Sequence, residues 1–217
     1  MGQSHSTSQQ RPRAELLYDL VSIGNVVAIK ALWREGAHAG TPLHHAVKEG
    51  LGQSVKLLLS HGANTLVRND DFQTPLDVAR VKGCANVVRA LEKHVCYFSG
   101  WFREFYGPSF LEALAPKLLS GTIWVVVIPF GPSDSTRPLK MELIIYRTLQ
   151  DVRPRSVIAL WKVKIEKPDF HQKEPALTIV DQFTKTRYKL TSTIEGDKQQ
   201  LQRLHNACLG IPQEPQK

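Results

Sequence analysis

The sequence predicts a two-domain protein of the α+β class, in which a helical repeat array precedes an antiparallel β domain. Three observations support this division. The first half repeats itself at an interval of 33 residues, the second half contains short strand-like segments bounded by glycine and proline, and the last segment returns to helical spacing. Of the 217 residues, 42% are hydrophobic and 22% are charged, which excludes wholesale disorder and fibrous repeats.

The repeat is visible in Thr41-Pro42-Leu43-His44-His45-Ala46, which recurs 33 residues later as Thr74-Pro75-Leu76-Asp77-Val78-Ala79. The same interval relates Gly50 to Gly83. We expect the threonine to cap a first helix, the proline to occupy its first turn and the glycine to end it. The apolar side of a second helix is then supplied by Val55, Leu57, Leu58 and Leu59.

An incomplete copy precedes these two units. The segment 24–37 matches the segment 50–63, but the connection that follows it is seven residues too short for a full repeat. This copy is predicted to contain two helices, Ala14–Ile23 and Asn25–Arg34. Because the connecting hairpin is truncated, we expect imperfect stacking that leaves the face around Leu43 and Val47 partly exposed.

The period, the opening motif and the helix-end glycines together resemble the ankyrin repeat, predicted over residues 14–95 after a disordered tail of residues 1–13. Ankyrin modules bind proteins through their hairpin tips and the exposed side of their first helices. Taken singly, Asn69, Asp70 and Asp71 are better explained as simple turn formers, whereas the apolar Phe72 beside them favours a contact site. The predicted protein-binding residues on the hairpin and concave face are Lys48, Glu49, Arg68, Asn69, Asp70, Asp71, Phe72, Arg80 and Lys82.

The second half is predicted to be a β domain over residues 96–209, followed by a disordered tail of residues 210–217. Its predicted strands are Cys96–Phe102, Ile123–Ile128, Lys140–Tyr146, Ser156–Ile165, Ala176–Asp181 and Thr186–Ser192. A final helix from Asp197 onward is predicted to follow a capping region at Ser192-Thr193. Short antiparallel strands closed by one C-terminal helix resemble a pleckstrin-homology-like barrel; another small α+β domain is the alternative.

The order of the two domains, together with Cys96–Trp101, Glu104–Pro116 and Trp124–Val127, resembles the plant XBAT family of ankyrin-repeat ubiquitin ligases. That resemblance implies a role in protein ubiquitination, with protein substrates bound by the ankyrin repeats. Family members carry an additional repeat where this chain passes from Ala37 to Gly40, and they continue into a RING finger. Three scattered cysteines cannot form a RING, so we expect a substrate-recognition adaptor that is not itself an enzyme, with zinc only in a longer form carrying the RING.

No residue pattern indicates catalysis. The histidines lack partners at metal-ligand spacing, and His44 occupies the motif position at which the imidazole supports the repeat itself. Neither a phosphate-binding loop nor a nucleophile elbow occurs. We therefore expect no catalytic residue, no metal site and no cofactor in this chain.

The N-terminus and the net charge suggest an alternative function. Met1–Ser6 fits the N-myristoylation pattern with Gly2 as the acceptor, and the formal net charge is +8. A single acyl chain binds membranes weakly, so basic residues such as Arg11 and Arg13 would have to supply a second contact with an anionic membrane surface. The alternative is thus a peripheral membrane protein, against an ordinary disordered tail. We expect a cytoplasmic protein, with membranes and nucleus left open, and no nucleic-acid partner because the basic residues are scattered. The oligomeric state is left open.

Overall fold

A computed structural model describes residues 13–34, 40–105, 120–131 and 139–212. The chain divides into two compact units, residues 1–90 and 91–217. The division falls inside a helix, a few residues before the predicted domain boundary at residue 95.

Six helices form the described part of the first unit and lead into the second. They are α1 Arg13–Ser22, α2 Val26–Arg34, α3 Gly40–Lys48, α4 Gly52–Ser60, α5 Pro75–Lys82 and α6 Ala85–Val95. Helix α1 packs against α2 and α3, and α3 packs against α4 and α5. Antiparallel helix pairs stacked side by side through their first helices are the arrangement expected of ankyrin repeats.

The start and end of α5 follow the predicted local chemistry. Thr74 is the N-cap: its hydroxyl oxygen accepts from the backbone N–H of Asp77 at 3.2 Å, and the Asp77 carboxylate accepts from the Thr74 backbone N–H at 2.9 Å. Gly83 ends the helix with φ of 87°, a left-handed conformation that glycine adopts without strain. The equivalent cap was predicted at Thr41; helix α3 begins at Gly40, and the Thr41 side chain lies outside the described residues.

The expected exposure around Leu43 and Val47 is also wrong, since both side chains are fully buried. Helix α1 packs directly against α3 and buries its own Leu17 and Val21 as completely, so the first unit stacks despite the short connection. The connection itself, residues 35–39, lies outside the described residues. On α4 the predicted apolar side is confirmed except at Leu57, which is only half-buried.

The second unit is built on one curled antiparallel sheet. Its strands are β1 Phe98–Phe105, β2 Ser120–Pro129, β3 Met141–Tyr146, β4 Ser156–Ala159, β5 Val163–Glu166, β6 Leu177–Asp181 and β7 Arg187–Ser192. They are hydrogen-bonded in the order β4-β3-β2-β1-β7-β6-β5, so β4 and β5 form the two edges. The single strand predicted over residues 156–165 is therefore wrong. A 3₁₀ turn at Leu160–Lys162 interrupts it, because the chain must leave its pairing with β3 before it can pair with β6.

A C-terminal helix, α7 Lys198–Cys208, packs against β1, β2, β3 and β7. Its Leu201 and Leu204 join the apolar core formed by the inner face of the sheet. The N-cap is Asp197, whose carboxylate accepts from the Gln200 backbone N–H at 3.0 Å. The cap predicted at Ser192-Thr193 is wrong because Ser192 still belongs to β7. A curled antiparallel sheet closed by a C-terminal helix is confirmed.

Two buried carboxylates of the second unit are paired with polar side chains. On β1 the Glu104 carboxylate accepts a hydrogen bond from Arg155 Nη2 at 2.7 Å, and its other oxygen lies 2.6 Å from Nη1. On β3 the fully buried Tyr146 hydroxyl donates to the carboxylate of Glu92, in the last turn of α6. The three cysteines are free thiols, and burial raises the pKa of Cys208 to about 12.

Candidate functional site

The hairpin between α4 and α5 is shaped by the side chain of Asn69. Its amide oxygen accepts from the backbone N–H of Asp71 at 3.1 Å and from that of Gln73 at 2.8 Å. The backbone of Asn69 also pairs with Gln73, whose carbonyl accepts from the Asn69 N–H at 2.9 Å. Asn69 is therefore a turn former, as the simpler interpretation of the sequence held, and it fixes the tip in one conformation.

Phe72 occupies an unusual position at this tip. Its φ is 59°, in the left-handed region that normally selects glycine or asparagine. Its backbone N–H donates to the Asn69 carbonyl at 2.9 Å, and its carbonyl accepts from Arg68 Nη1 at 2.5 Å. The side chain is 78% exposed. An exposed aromatic ring in a strained backbone conformation contributes little to the fold, which favours a role in contact with another molecule.

Beside the hairpin lies a groove of about 500 Å³ on the first unit. Helix α3, helix α5 and the hairpin each supply part of its wall. The lining residues are His44, His45, Lys48, Asn69, Asp71, Gln73, Val78, Val81 and Lys82. The groove therefore lies where the first helices of two adjacent repeats and the hairpin between them meet.

Two histidines that line this groove make hydrogen bonds across the repeats. Buried His44 lies 3.0 Å from the Gln73 carbonyl, which can only accept, so His44 Nε2 carries the proton and ties the hairpin to α3. His44 therefore supports the repeat structure, as expected, by a hydrogen bond to the hairpin that leads into the next repeat. The neighbouring His45 pairs with the hydroxyl of Ser22 on α1, with the nitrogen and oxygen 2.7 Å apart.

The chemistry of the groove combines positive charge with apolar surface. Lys48 and Lys82 are exposed, and they line the groove together with one carboxylate residue, Asp71. Val81 is 68% exposed although it lies on a helix with an apolar core side. A protein segment that carries carboxylates next to an apolar side chain would be complementary to this surface.

The groove brings together four of the nine residues predicted to bind protein: Lys48, Asn69, Asp71 and Lys82. Five do not line it: Glu49, Arg68, Asp70, Phe72 and Arg80. Arg68 instead supports the tip by its bond to Phe72. Sequence reasoning missed the valines Val78 and Val81, although the 33-residue interval places Val81 at the position of Lys48.

Other predicted sites fall outside this surface. Gly2, the predicted acylation site, lies outside the described residues, as does the segment 106–119 that contributes to the family resemblance. Within the described ranges, no group of three or more His, Cys, Asp or Glu residues is placed so that it could hold a metal ion. In the same ranges, no helix combines the length and apolar character needed to span a bilayer.

Comparison with known proteins agrees with this architecture. A family profile described as ankyrin repeats (3 copies) matches residues 17–97. The putative E3 ubiquitin-protein ligase XBAT35 of Arabidopsis thaliana is 44% identical over 94% of this chain and 59% of its own length. The probable E3 ubiquitin-protein ligase XBOS34 of Oryza sativa subsp. japonica is 52% identical over 92% of this chain and 40% of its own length.

A third relative, the putative E3 ubiquitin-protein ligase XBAT34 of Arabidopsis thaliana, is 44% identical over 83% of this chain and 55% of its own length. The chain thus spans about half the length of the curated relatives it matches. Both the ankyrin half and the β half of the chain take part in these similarities. They confirm that the chain is homologous, over most of its length, to the plant XBAT-type ankyrin-repeat E3 ubiquitin ligases.

Proposed function

We propose that this chain is a substrate-recognition adaptor of the ubiquitination pathway, which binds protein through the ankyrin groove and does not itself catalyse ubiquitin transfer. The observation that carries the proposal is the groove formed by α3, α5 and the rigid hairpin. The homology to XBAT-type ligases, which covers the chain but only about half of each relative, supports the connection with ubiquitin. The partner is a protein segment with carboxylate and apolar side chains, and binding it requires no cofactor.

Matched valine variants test the groove. Val81 lies in it, whereas the similarly exposed Val27 lies on α2 and does not line it. Proteins captured by the full chain should be identified and purified, and their affinities measured by calorimetry. Val81→Glu should weaken binding at least tenfold by placing a like charge against the partner's carboxylates, and Val27→Glu should not. Equal affinity for both variants would exclude the groove as the binding site.

The adaptor role is tested in a reconstituted ubiquitination reaction. With ubiquitin, activating enzyme and conjugating enzyme alone, the chain should form no ubiquitin chains above background. With a relative that carries a RING finger and one of the purified partners, excess chain should compete and lower ubiquitination of that partner, while Val81→Glu should compete poorly. Robust autoubiquitination of the chain would contradict the proposal.

We further propose that the second unit is a pleckstrin-homology-like barrel. Seven antiparallel strands in one curled sheet, with a C-terminal helix on the inner face, support this assignment. An experimental structure of the full chain, compared with known barrels of this class, tests the assignment.

A further inference from the structure

An aromatic cluster lies where the two edges of the sheet approach one another. The turn Leu160–Lys162 joins β4 to β5 and carries Trp161, whose ring centroid is 5.0 Å from that of Phe130 at the end of β2. The ammonium nitrogen of Lys140 lies 5.5 Å from the Trp161 ring centroid, in cation–π range. Phe130 and Trp161 both remain partly exposed.

The tip of the β6–β7 hairpin and the Trp161 turn extend from the same end of the β5–β6 strand pair. Val163, two residues after Trp161, pairs with Asp181, two residues before Phe183. The Cα atoms of Trp161 and Phe183 are separated by two extended two-residue segments and one strand spacing. These two Cα atoms therefore lie within about 20 Å of one another. We refer to Phe130, Lys140, Trp161, Lys162, Phe183 and Lys185 as the aromatic corner.

Hydrogen bonds shape the backbone of the hairpin tip that exposes Phe183 to solvent. The Asp181 carboxylate accepts from the backbone N–H of Phe183 at 2.8 Å and from that of Thr184 at 3.0 Å. Lys185 adopts φ of 59°, a conformation that is costly for lysine. The Phe183 side chain is nevertheless 86% exposed. A hydrogen-bonded tip that exposes an aromatic side chain to solvent favours contact of that side chain with an apolar phase.

We propose that the aromatic corner binds the interfacial region of an anionic phospholipid membrane. Aromatic rings partition to the boundary between headgroups and acyl chains, and lysines beside them gain from negative surface potential. The exposed lysines of the corner are Lys140, Lys162 and Lys185. The carboxylate of Asp181 accepts hydrogen bonds from the amides of the hairpin tip. Trp161 lies on a turn and Phe183 on a hairpin tip, and such protruding positions suit contact with a planar membrane better than with a peptide.

Vesicle flotation of the full chain tests the proposal. The chain should be produced in bacteria, so that Gly2 is not acylated, and mixed with phosphatidylcholine vesicles with or without roughly 30% phosphatidylserine. It should float with the anionic vesicles only. Phe183→Ser should weaken binding about tenfold, because the variant has no aromatic side chain to transfer from water into the membrane. Lys185→Gln should weaken binding about fivefold, because it removes one positive charge near the anionic surface. The matched control is Ile194→Ser, an exposed apolar residue beyond the other end of β7, which should bind like the parent.

A spectroscopic readout locates the contact. Tryptophan emission should shift to the blue when vesicles are added, and Trp161→Phe should keep most of the binding but lose the shift. The proposal is overturned if the parent does not float with anionic vesicles, or if Phe183→Ser binds as the parent does. It is equally overturned if Trp161→Phe retains the shift, or if corner variants keep lipid binding and lose a purified protein partner instead.

Discussion

Substitution of Phe72 measures the conformational cost of the hairpin tip. An L residue in the left-handed region costs about 1–2 kcal/mol, a cost that Phe72 and any alanine replacing it must both bear. Glycine avoids this cost but loses about 0.4–1 kcal/mol more backbone entropy on folding than alanine does. The Phe72→Gly variant should therefore be more stable to unfolding than Phe72→Ala by about 0.5–1 kcal/mol.

The comparison of two variants removes the contribution of the ring itself. Because the side chain is 78% exposed, its removal costs only about a fifth of the 1.5–3 kcal/mol of a buried aromatic, and it costs both variants the same. Thermal unfolding of the full chain, followed by far-ultraviolet circular dichroism, should give the glycine variant a Tm about 2–8 °C higher.

A second pair of variants checks the sign. At the exposed helical position Val81, glycine should be less stable than alanine by about 1 kcal/mol, the reverse of the order at Phe72. If alanine is as stable as glycine at position 72 while the order at position 81 is as expected, Phe72 does not occupy the left-handed region in solution. Its backbone conformation would then give no support to a role in binding.

Three further predictions concern local interactions in the two units. Thr74→Ala removes the α5 cap and should lower the free energy of unfolding by about 1–2 kcal/mol in urea denaturation, with no such loss for Thr74→Ser. Arg155→Met leaves the carboxylate of Glu104 buried and unpaired and should cost about 3 kcal/mol, much of which a second change, Glu104→Leu, should restore. Hydrogen bonds from the Thr184 and Phe183 amides lower the pKa of Asp181, so its stabilisation of the tip is complete above the ordinary aspartate pKa and is lost as the pH falls through the lowered value. The amide resonances of the tip should report that acid transition, and Asp181→Asn should abolish it.

The helices of the repeat could be predicted because their signals are local. Caps, first-turn prolines and helix-end glycines act within a few residues, and α5 and Gly83 follow them. The stacking of α1 on α3 was mispredicted because it depends on the packing of the two helix faces and not on the length of the connection between the repeats. Leu43 and Val47 are buried on α3, against which α1 packs, although the short connection led us to expect that α1 would be displaced.

The strand boundaries show where local patterns are insufficient. Residues 161–165 alternate apolar and basic side chains, which is the pattern of one continuous strand. The break into β4 and β5 arises because the two halves pair with different partners, β3 and β6, at opposite edges of the sheet. Pairing of this kind is not encoded in the alternation.

The residues that line the groove were only partly predictable from the sequence. Polar residues of the hairpin could be assigned from ankyrin geometry, and Asn69 and Asp71 do line it. Val81 was missed because an apolar residue on a helix is assigned to the core by default. The equivalence of Val81 and Lys48 in the repeat was the available signal, since two equivalent positions share one face of the array.

The helix that spans the boundary between the two units determines how the chain can be divided. Residues 91–95 of α6 belong to the second unit, and Glu92 accepts the hydrogen bond of the buried Tyr146. A fragment that begins at Cys96, where the repeat pattern stops, would remove the Glu92 carboxylate to which that hydroxyl donates. A fragment that begins at Leu91 would start within a helix. A stable recombinant β unit therefore has to start before Ala85, and its first residues will be ankyrin sequence.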